Sequence, residues 1–321
     1  MTAVATADRP RLGERLAAAP WPELAAPAAL LLLVVVFGAA DSTFLTTGNI
    51  EAILQASAIL VVLAVAQTFV VATAGIDLSV ASTMTLGAVV LGQVYSSGAG
   101  IGWAILAGVA AATAVGLVNG AIVAKGGITD FIVTLGTLSA ASGLALILAD
   151  GKPQPVLSKF MLDLSASGIG IISWSVLVAA VVAVTAHVVL FRTRLGVHLL
   201  AVGGSTDAAR STGVRNVRVK MSVYLISGLL AGLAAVLLVA RVGAAEPASN
   251  TSFLLNSVAA VVLGGVSLFG GRATIIGPVV GALLLASLVN GLTLLGVSQF
   301  YQPLAVGIVV VLAAFLTRFQ K

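Results

Sequence analysis

Cysteine is absent from the 321 residues, and charge is scarce, with 8% of the chain Asp, Glu, Lys or Arg. Without thiols there is no disulfide framework, no thiolate metal site and no cysteine nucleophile. A soluble domain usually carries about 25% charged residues. A chain with 60% hydrophobic residues and a mean hydropathy of +1.16 cannot fold around one aqueous core, so it is an integral membrane protein. Histidine occurs only at His187 and His198, neither with a partner at metal-ligand spacing, so no metal site is expected. H-E-x-x-H, G-x-S-x-G and Gly-Lys-Ser/Thr phosphate loops are all missing. The chain is therefore expected to have no catalytic residue, to bind no cofactor and to hydrolyse no nucleotide by itself. Its net charge of +5 does not argue for nucleic acid, because the basic residues fall between apolar runs.

What is present is a series of apolar runs. A helical span needs about 20 apolar residues, and that length predicts an all-α protein of ten spans. They lie near residues 22–40, 50–73, 79–97, 101–124, 131–149, 170–191, 221–242, 255–270, 274–295 and 301–317. Residues 1–20 carry Arg9, Arg11 and Arg15 and read as a cytosolic tail. With no small-residue cleavage site behind a short apolar core, the first run reads as an uncleaved span, and residues 21–321 as one transmembrane domain. With the N-terminus cytosolic, ten crossings put thirteen of the 16 basic residues inside and leave Lys152, Lys159 and Arg241 outside. This obeys the positive-inside rule and puts both termini in the cytosol.

Gly is abundant, at 35 residues, as expected where helices pack closely in lipid. Gly-x-x-x-Gly occurs at Gly116 and Gly120, Gly228 and Gly232, and Gly277 and Gly281. Each serves either a subunit contact or packing within the chain. The tetrapeptide LVNG at 117–120 recurs at 288–291, in the fourth and ninth spans. Those spans run in opposite directions in the ten-span scheme, which suggests an inverted-repeat core.

Polar residues inside such a chain are candidates for a solute pathway. Asp77 and Ser79 follow the helix-breaking Gly75; they either cap the third span or line a broken-helix element facing the pathway. Asn119, Thr134, Thr137, Asn256 and Asn290 lie within or at the ends of spans. Their amides and hydroxyls suit a polyhydroxylated solute, or else bond neighbouring helices. No span carries a midplane charge, which argues against a proton or sodium relay.

The longest polar interval, 192–220, carries Arg192, Arg194, Arg210, Arg215, Arg218 and Lys220 against Asp207 alone. Gly203 and Gly204 read as a break. Ser205 or Thr206 caps a short helix through Ala208 and Ala209, Asp207 sits in its first turn, Arg210 lies near its C-terminal end, and Gly213 stops it. Such a helix fits a groove on a partner, or else lies on the membrane surface against anionic lipid.

GIDLSV (75–80), FIVTLGT (131–137), AARSTGV (208–214) and AAVVLGGVSLFGGR (259–272) stand in order along the chain. In sequence and spacing they resemble the permease subunit of ribose-type ABC sugar importers, and the likeness spans about residues 45–318. It implies the ABC importer permease fold in a bacterial cytoplasmic membrane, and import of a monosaccharide by alternating access. The implied partners are a cytosolic ABC ATPase holding ATP and Mg²⁺, an extracytoplasmic sugar-binding protein, and a second permease copy or paralogue. Residues 203–213 resemble the coupling helix that docks on the ATPase, and Lys152, Lys159, Arg241 and Glu246 are candidates for docking the binding protein. Three departures stand out: Ser205 where the family often has Asn, Leu254 and Asn256 where it often has acids, and Asp130 where it usually has Pro. A branched-chain amino-acid permease of the same superfamily is the nearest rival, and a self-sufficient secondary transporter a more distant one.

Overall fold

A computed structural model describes residues 21–248 and 251–318. The expected tail 1–20 and Lys321 lie outside the described residues. The chain begins with α1 (Trp21–Ala40), a short 3-10 turn (Ser42–Leu45), α2 (Thr47–Ala72), α3 (Val80–Ser96), α4 (Ile101–Gly126) and α5 (Asp130–Leu148). A surface segment follows with β1 (Gln154–Pro155), α6 (Lys159–Ala166), β2 (Gly168–Ile169) and β3 (Ile172–Ser173). Then come α7 (Trp174–Arg192), α8 (Arg194–Gly204), α9 (Thr206–Ser211) and α10 (Asn216–Val242). The chain closes with β4 (Ala244–Ala245), α11 (Thr251–Leu263), α12 (Ile276–Leu294) and α13 (Gln302–Arg318).

Each apolar run has become a helix. Six of them, α2, α4, α5, α7, α10 and α12, are long and apolar enough to cross a membrane. The other four are apolar over shorter stretches: Ala25–Ala40, Val80–Ser96, Thr251–Leu263 and Gln302–Leu312. The run at 255–270 predicts a full span, but the helix ends at Leu263. Gly265 takes φ +75° there, and the Val266 N–H turns back to the Val261 carbonyl at 3.2 Å. At about 1.5 Å per residue, α11 is far shorter than a hydrocarbon core of about 30 Å.

Most of α2 and α10 is buried, whereas most residues of α4, α5 and α7 are half-buried or exposed. Helices α2 and α10 therefore form the centre, with the more exposed helices around them. The close approaches are made by glycine. A Cβ on Gly116 would lie 2.3 Å from the Tyr224 carbonyl oxygen, and one on Gly228 would lie 2.6 Å from that of Ala112. Farther along, Gly120 faces Met221 and Gly232 faces Val109, so α4 and α10 run antiparallel with their Gly-x-x-x-Gly faces in contact. The third motif seats Gly277 on Gly264 and Gly281 on Ala260, closing α11 against α12. All three motifs thus serve contacts within the chain, where small residues let backbones approach and gain dispersion energy that lipid cannot supply.

Gly116→Ala places a methyl group against backbone that has no rotamer to escape through, and overpacking of this kind costs about 1–3 kcal/mol. Its thermal-unfolding midpoint in detergent should fall clearly. Gly136→Ala in α5, where a Cβ meets nothing within 4 Å, should unfold at the wild-type temperature. Equal midpoints for the two variants would contradict the packing described.

Candidate functional site

The end of the molecule that carries α8 and α9 is held together by the irregular segments between helices. Helix α2 stops when the Ala74 N–H bonds the Val71 carbonyl at 2.9 Å and the Gly75 N–H reaches back to Val70 at 3.2 Å, an αL-terminated C-cap. The left-handed residue is Ala74, at φ +57°, a conformation that costs a residue with a Cβ roughly 1–2 kcal/mol. Such strain persists only where the surroundings hold it.

Three residues after Ala74 the chain has placed Asp77 in the interior. One carboxylate oxygen accepts from the Ser79 N–H at 2.9 Å and from the Ser79 hydroxyl at 2.6 Å. The other accepts from Ser227 on α10 at 2.7 Å. Ser79 in turn accepts from the Asn119 amide of α4 at 2.9 Å, and the Asn119 oxygen accepts from Thr137 of α5 at 2.6 Å. Thr134 lies 2.8 Å from the Asp130 carbonyl and 3.2 Å from that of Ile76. Five of the seven polar candidates, Asp77, Ser79, Asn119, Thr134 and Thr137, therefore meet around one linker. Ser79 does not cap α3, because its hydroxyl is committed to Asp77.

Behind the linker, Lys220 and Asp130 form an ion pair of 2.7 Å, with side chains 16% and 17% exposed. A Cβ on Gly75 would come within 2.2 Å of the Asp130 carboxylate, so only glycine lets the linker pass beneath the pair. Sequence reasoning singled out Asp130 only as a departure, counted Lys220 with the loop, and did not find Ser227. Their partners are 90 and 150 residues away, and no local pattern reports such pairings.

The other two candidates lie elsewhere. Asn290 of α12 exchanges two hydrogen bonds with Asn49 of α2, at 2.9 and 3.0 Å. Asn256 is half-buried on α11 and belongs to neither cluster.

The segment between α7 and α10 follows its sequence grammar closely. Ser205 caps α9, accepting from the Ala208 N–H at 3.2 Å. Asp207 is in the first turn and Arg210 in the last, and Gly213 takes φ +87°. Ala208 and Arg210 are exposed while Ala209 is buried. Two features differ from expectation. Residues 194–204 form a helix, α8, and Gly203 and Gly204 are its last turn rather than a break, which comes at the extended Ser205. Gly203 is instead a point of contact. A Cβ there would lie 1.9 Å from the Ala72 carbonyl oxygen and 2.6 Å from the Gly271 nitrogen. The Gly271 N–H donates to that same Ala72 carbonyl at 3.1 Å, and Gly270, at φ +78°, faces Ala74. Three backbones thus meet: the end of α8, the linker that leads to Asp77, and the linker between α11 and α12.

The remaining four candidates share the opposite end. Strand β1 pairs with β4, placing Gln154 beside Ala245 and bringing the segments after α5 and α10 together. Lys152 is paired with Asp150 at 2.8 Å and Lys159 with Asp163 at 2.6 Å, all exposed. Arg241 and Glu246 are exposed nearby in the chain.

The family model described as "Branched-chain amino acid transport system / permease component" matches residues 49–314. The ribose import permease of Escherichia coli K12 is 37% identical over 292 residues, covering 90% of this chain and 91% of that protein. The L-arabinose ABC transporter permease of Azospirillum brasilense is 35% identical, covering 91% and 87%. The D-allose transport system permease of Escherichia coli K12 is 33% identical, covering 90% and 89%. No solved structure matches the chain.

Breaking a buried ion pair by removing one partner costs about 3–5 kcal/mol. With both side chains slightly exposed, Asp130→Asn and Lys220→Met should each approach the lower figure. In a double-mutant cycle read by thermal unfolding, the double variant should lose clearly less than the sum of the singles. Additive losses would mean that the two charges do not support each other.

Proposed function

The chain belongs to the permease-component family of ABC transporters, on the ribose-type sugar branch, and from that premise we propose that it is the membrane-spanning subunit of an ATP-driven monosaccharide importer. In this reading it crosses the bacterial cytoplasmic membrane ten times with both termini in the cytosol, around an inverted-repeat core, and the short α11 makes its crossing together with the non-helical linker that follows it, as irregular backbone buried in protein can. It works as a pair with a second copy or a paralogue. A separate cytosolic ATPase binds ATP and Mg²⁺, and an extracytoplasmic binding protein delivers the sugar. The relatives are permeases for ribose import and for L-arabinose and D-allose transport. They support a monosaccharide over the branched-chain amino acids of the family description.

The observation that carries the mechanism is the three-way junction at Gly203. The ATPase grips α9 through Ala208 and Arg210, and α9 is joined through Ser205 to the last turn of α8. Gly203 and Gly204 press directly on the two linkers, with no flexible side chain between them. A displacement of α8 therefore moves Ala72 and Gly271 together. The first linker holds Asp77, which ties α4, α5 and α10 through Ser79, Asn119, Thr137 and Ser227. ATP-driven closure of the motor thereby rocks the helices that open and close the pathway. Thr137 is the half-exposed end of this network, placed to meet a sugar hydroxyl, while Asp77, Ser79, Asn119 and Thr134 support it from behind. Asn256 and Asn290 serve the pathway nearer its other end.

Lys152, Lys159, Arg241 and Glu246 are the docking rim for the binding protein. Exposed ion pairs such as Lys152–Asp150 contribute about 1 kcal/mol or less, so their partners are readily exchanged for those of an arriving protein.

Arg210→Glu reverses the charge of an exposed residue at the motor-facing helix. In proteoliposomes with the ATPase and the sugar-loaded binding protein, the variant should insert normally and still bind the receptor. Its ATP-driven uptake of labelled ribose, arabinose or allose should disappear. Uptake at the wild-type rate removes the coupling assignment, and uptake of labelled leucine instead of any sugar favours the amino-acid branch.

A further inference from the structure

Between α8 and the first two turns of α10 lies a cavity of about 290 Å³ that the transport mechanism does not use. Its lining includes two basic residues, Arg215 and Arg218, together with His198 and Ser222; both arginines and His198 are exposed at its mouth. Its apolar lining is Leu195, Val214 and Val219. Neither arginine forms a salt bridge among the described residues, and the first turn of α10 contains no acid. Two exposed cations beside a helix N-terminus oppose the helix dipole, so the arrangement favours an anion there. Guanidinium groups match phosphate oxygens in planar, bidentate geometry.

The surroundings identify the source of that anion. Arg218 and Ser222 lie on the same face of α10 as Leu225 and Leu229, one and two turns farther along, and both leucines are exposed. On α7, Val181, Val184, Val188 and Phe191 form a second exposed stripe at helical spacing, and it runs toward Leu195. The cavity is thus a cationic, partly apolar cup at the end of two lipid-facing stripes. We propose that it holds the phosphate headgroup of an anionic phospholipid, whose acyl chains lie along Leu225 and Leu229. Basic pockets between transmembrane helices at the cytoplasmic surface take such headgroups. The lipid would brace α8 against α10 and set the resting position of the helix that presses on the two linkers. The proposal needs no ATPase or solute, so it stands or falls separately from the transport reading.

The test uses the full-length chain reconstituted with equal phosphatidylglycerol and phosphatidylcholine, extracted gently, and weighed by native mass spectrometry. Wild type should retain phosphatidylglycerol in preference to phosphatidylcholine. Arg215→Gln/Arg218→Gln should lose that retention by about 25-fold, since each basic side chain near the surface contributes about fivefold. Ser222→Leu fills the cup without changing charge and should lower retention as well, which separates the pocket from general attraction to the surface. Wild-type retention in either variant would overturn the proposal. Displacement of the lipid by millimolar inorganic phosphate, bound equally well alone, would assign the cup to free phosphate instead. Loss of ATPase association in the arginine variant with lipid retention intact would assign the surface to the motor.

Discussion

In a lipid-embedded chain every irregular stretch of backbone must find its hydrogen bonds inside the protein. The stretch after α11 finds such a bond at the end of α2, where another irregular stretch begins. The Gly271 N–H donates to the Ala72 carbonyl. The same carbonyl is covered by Gly203, so the end of α8 closes the site from the third side. Any larger residue at Gly203 would force these backbones apart. The packing of α2, the course of the linker to Asp77 and the seat of α8 all depend on this contact.

From that junction the polar residues follow a consistent physical logic. Asp77 is drawn into the interior by the turn that ends α2, and a buried carboxylate must be fully partnered. Ser79 and Ser227 supply three donors between them, and the hydroxyl of Ser79 passes the network on to Asn119 and Thr137. Networks of this kind polarise along their length and specify one arrangement of the helices that carry them. Here they tie α4, α5 and α10 to a linker that is itself in contact with α8. The strained Ala74 sits at the head of this linker. Strain there is consistent with a segment held by its neighbours and able to adopt a second arrangement when they move.

The two ends of the molecule divide the labour. At one end, Lys152 and Lys159 are exposed and paired with acids close by in the chain, and Arg241 and Glu246 are exposed as well. At the other, Lys220 and Asp130 form a semi-buried pair, and Arg194, Arg210, Arg215 and Arg218, which form no salt bridge among the described residues, lie between the start of α8 and the first turn of α10. The first arrangement suits contacts that exchange, the second suits contacts that transmit force or hold an anion. Glycine is used differently in each region. Along α4 and α10 it permits close approach of rigid helices, while at Gly265 and Gly270 it supplies left-handed backbone that ends or redirects the chain.

The sequence by itself determined the all-α membrane class, the positions of the ten apolar helices, a cap for α9 at Ser205 or Thr206 and its stop at Gly213. Each rests on local chemistry: apolar run length, a hydroxyl beside free N–H groups, or a residue without a Cβ. It also picked out Asp77, Ser79, Asn119, Thr134 and Thr137 as polar residues without an obvious place in lipid. Only the tertiary structure decided that these five meet, that Asn290 pairs with Asn49 instead, and that Asp130 is answered by Lys220. It also decided that α11 stops at Leu263 and that Gly203 is a contact rather than a break. Those outcomes depend on which helices are neighbours, and the neighbours of a uniformly apolar helix are chosen by steric fit between distant glycines and by long-range polar pairing. Neither leaves a periodic mark in the chain.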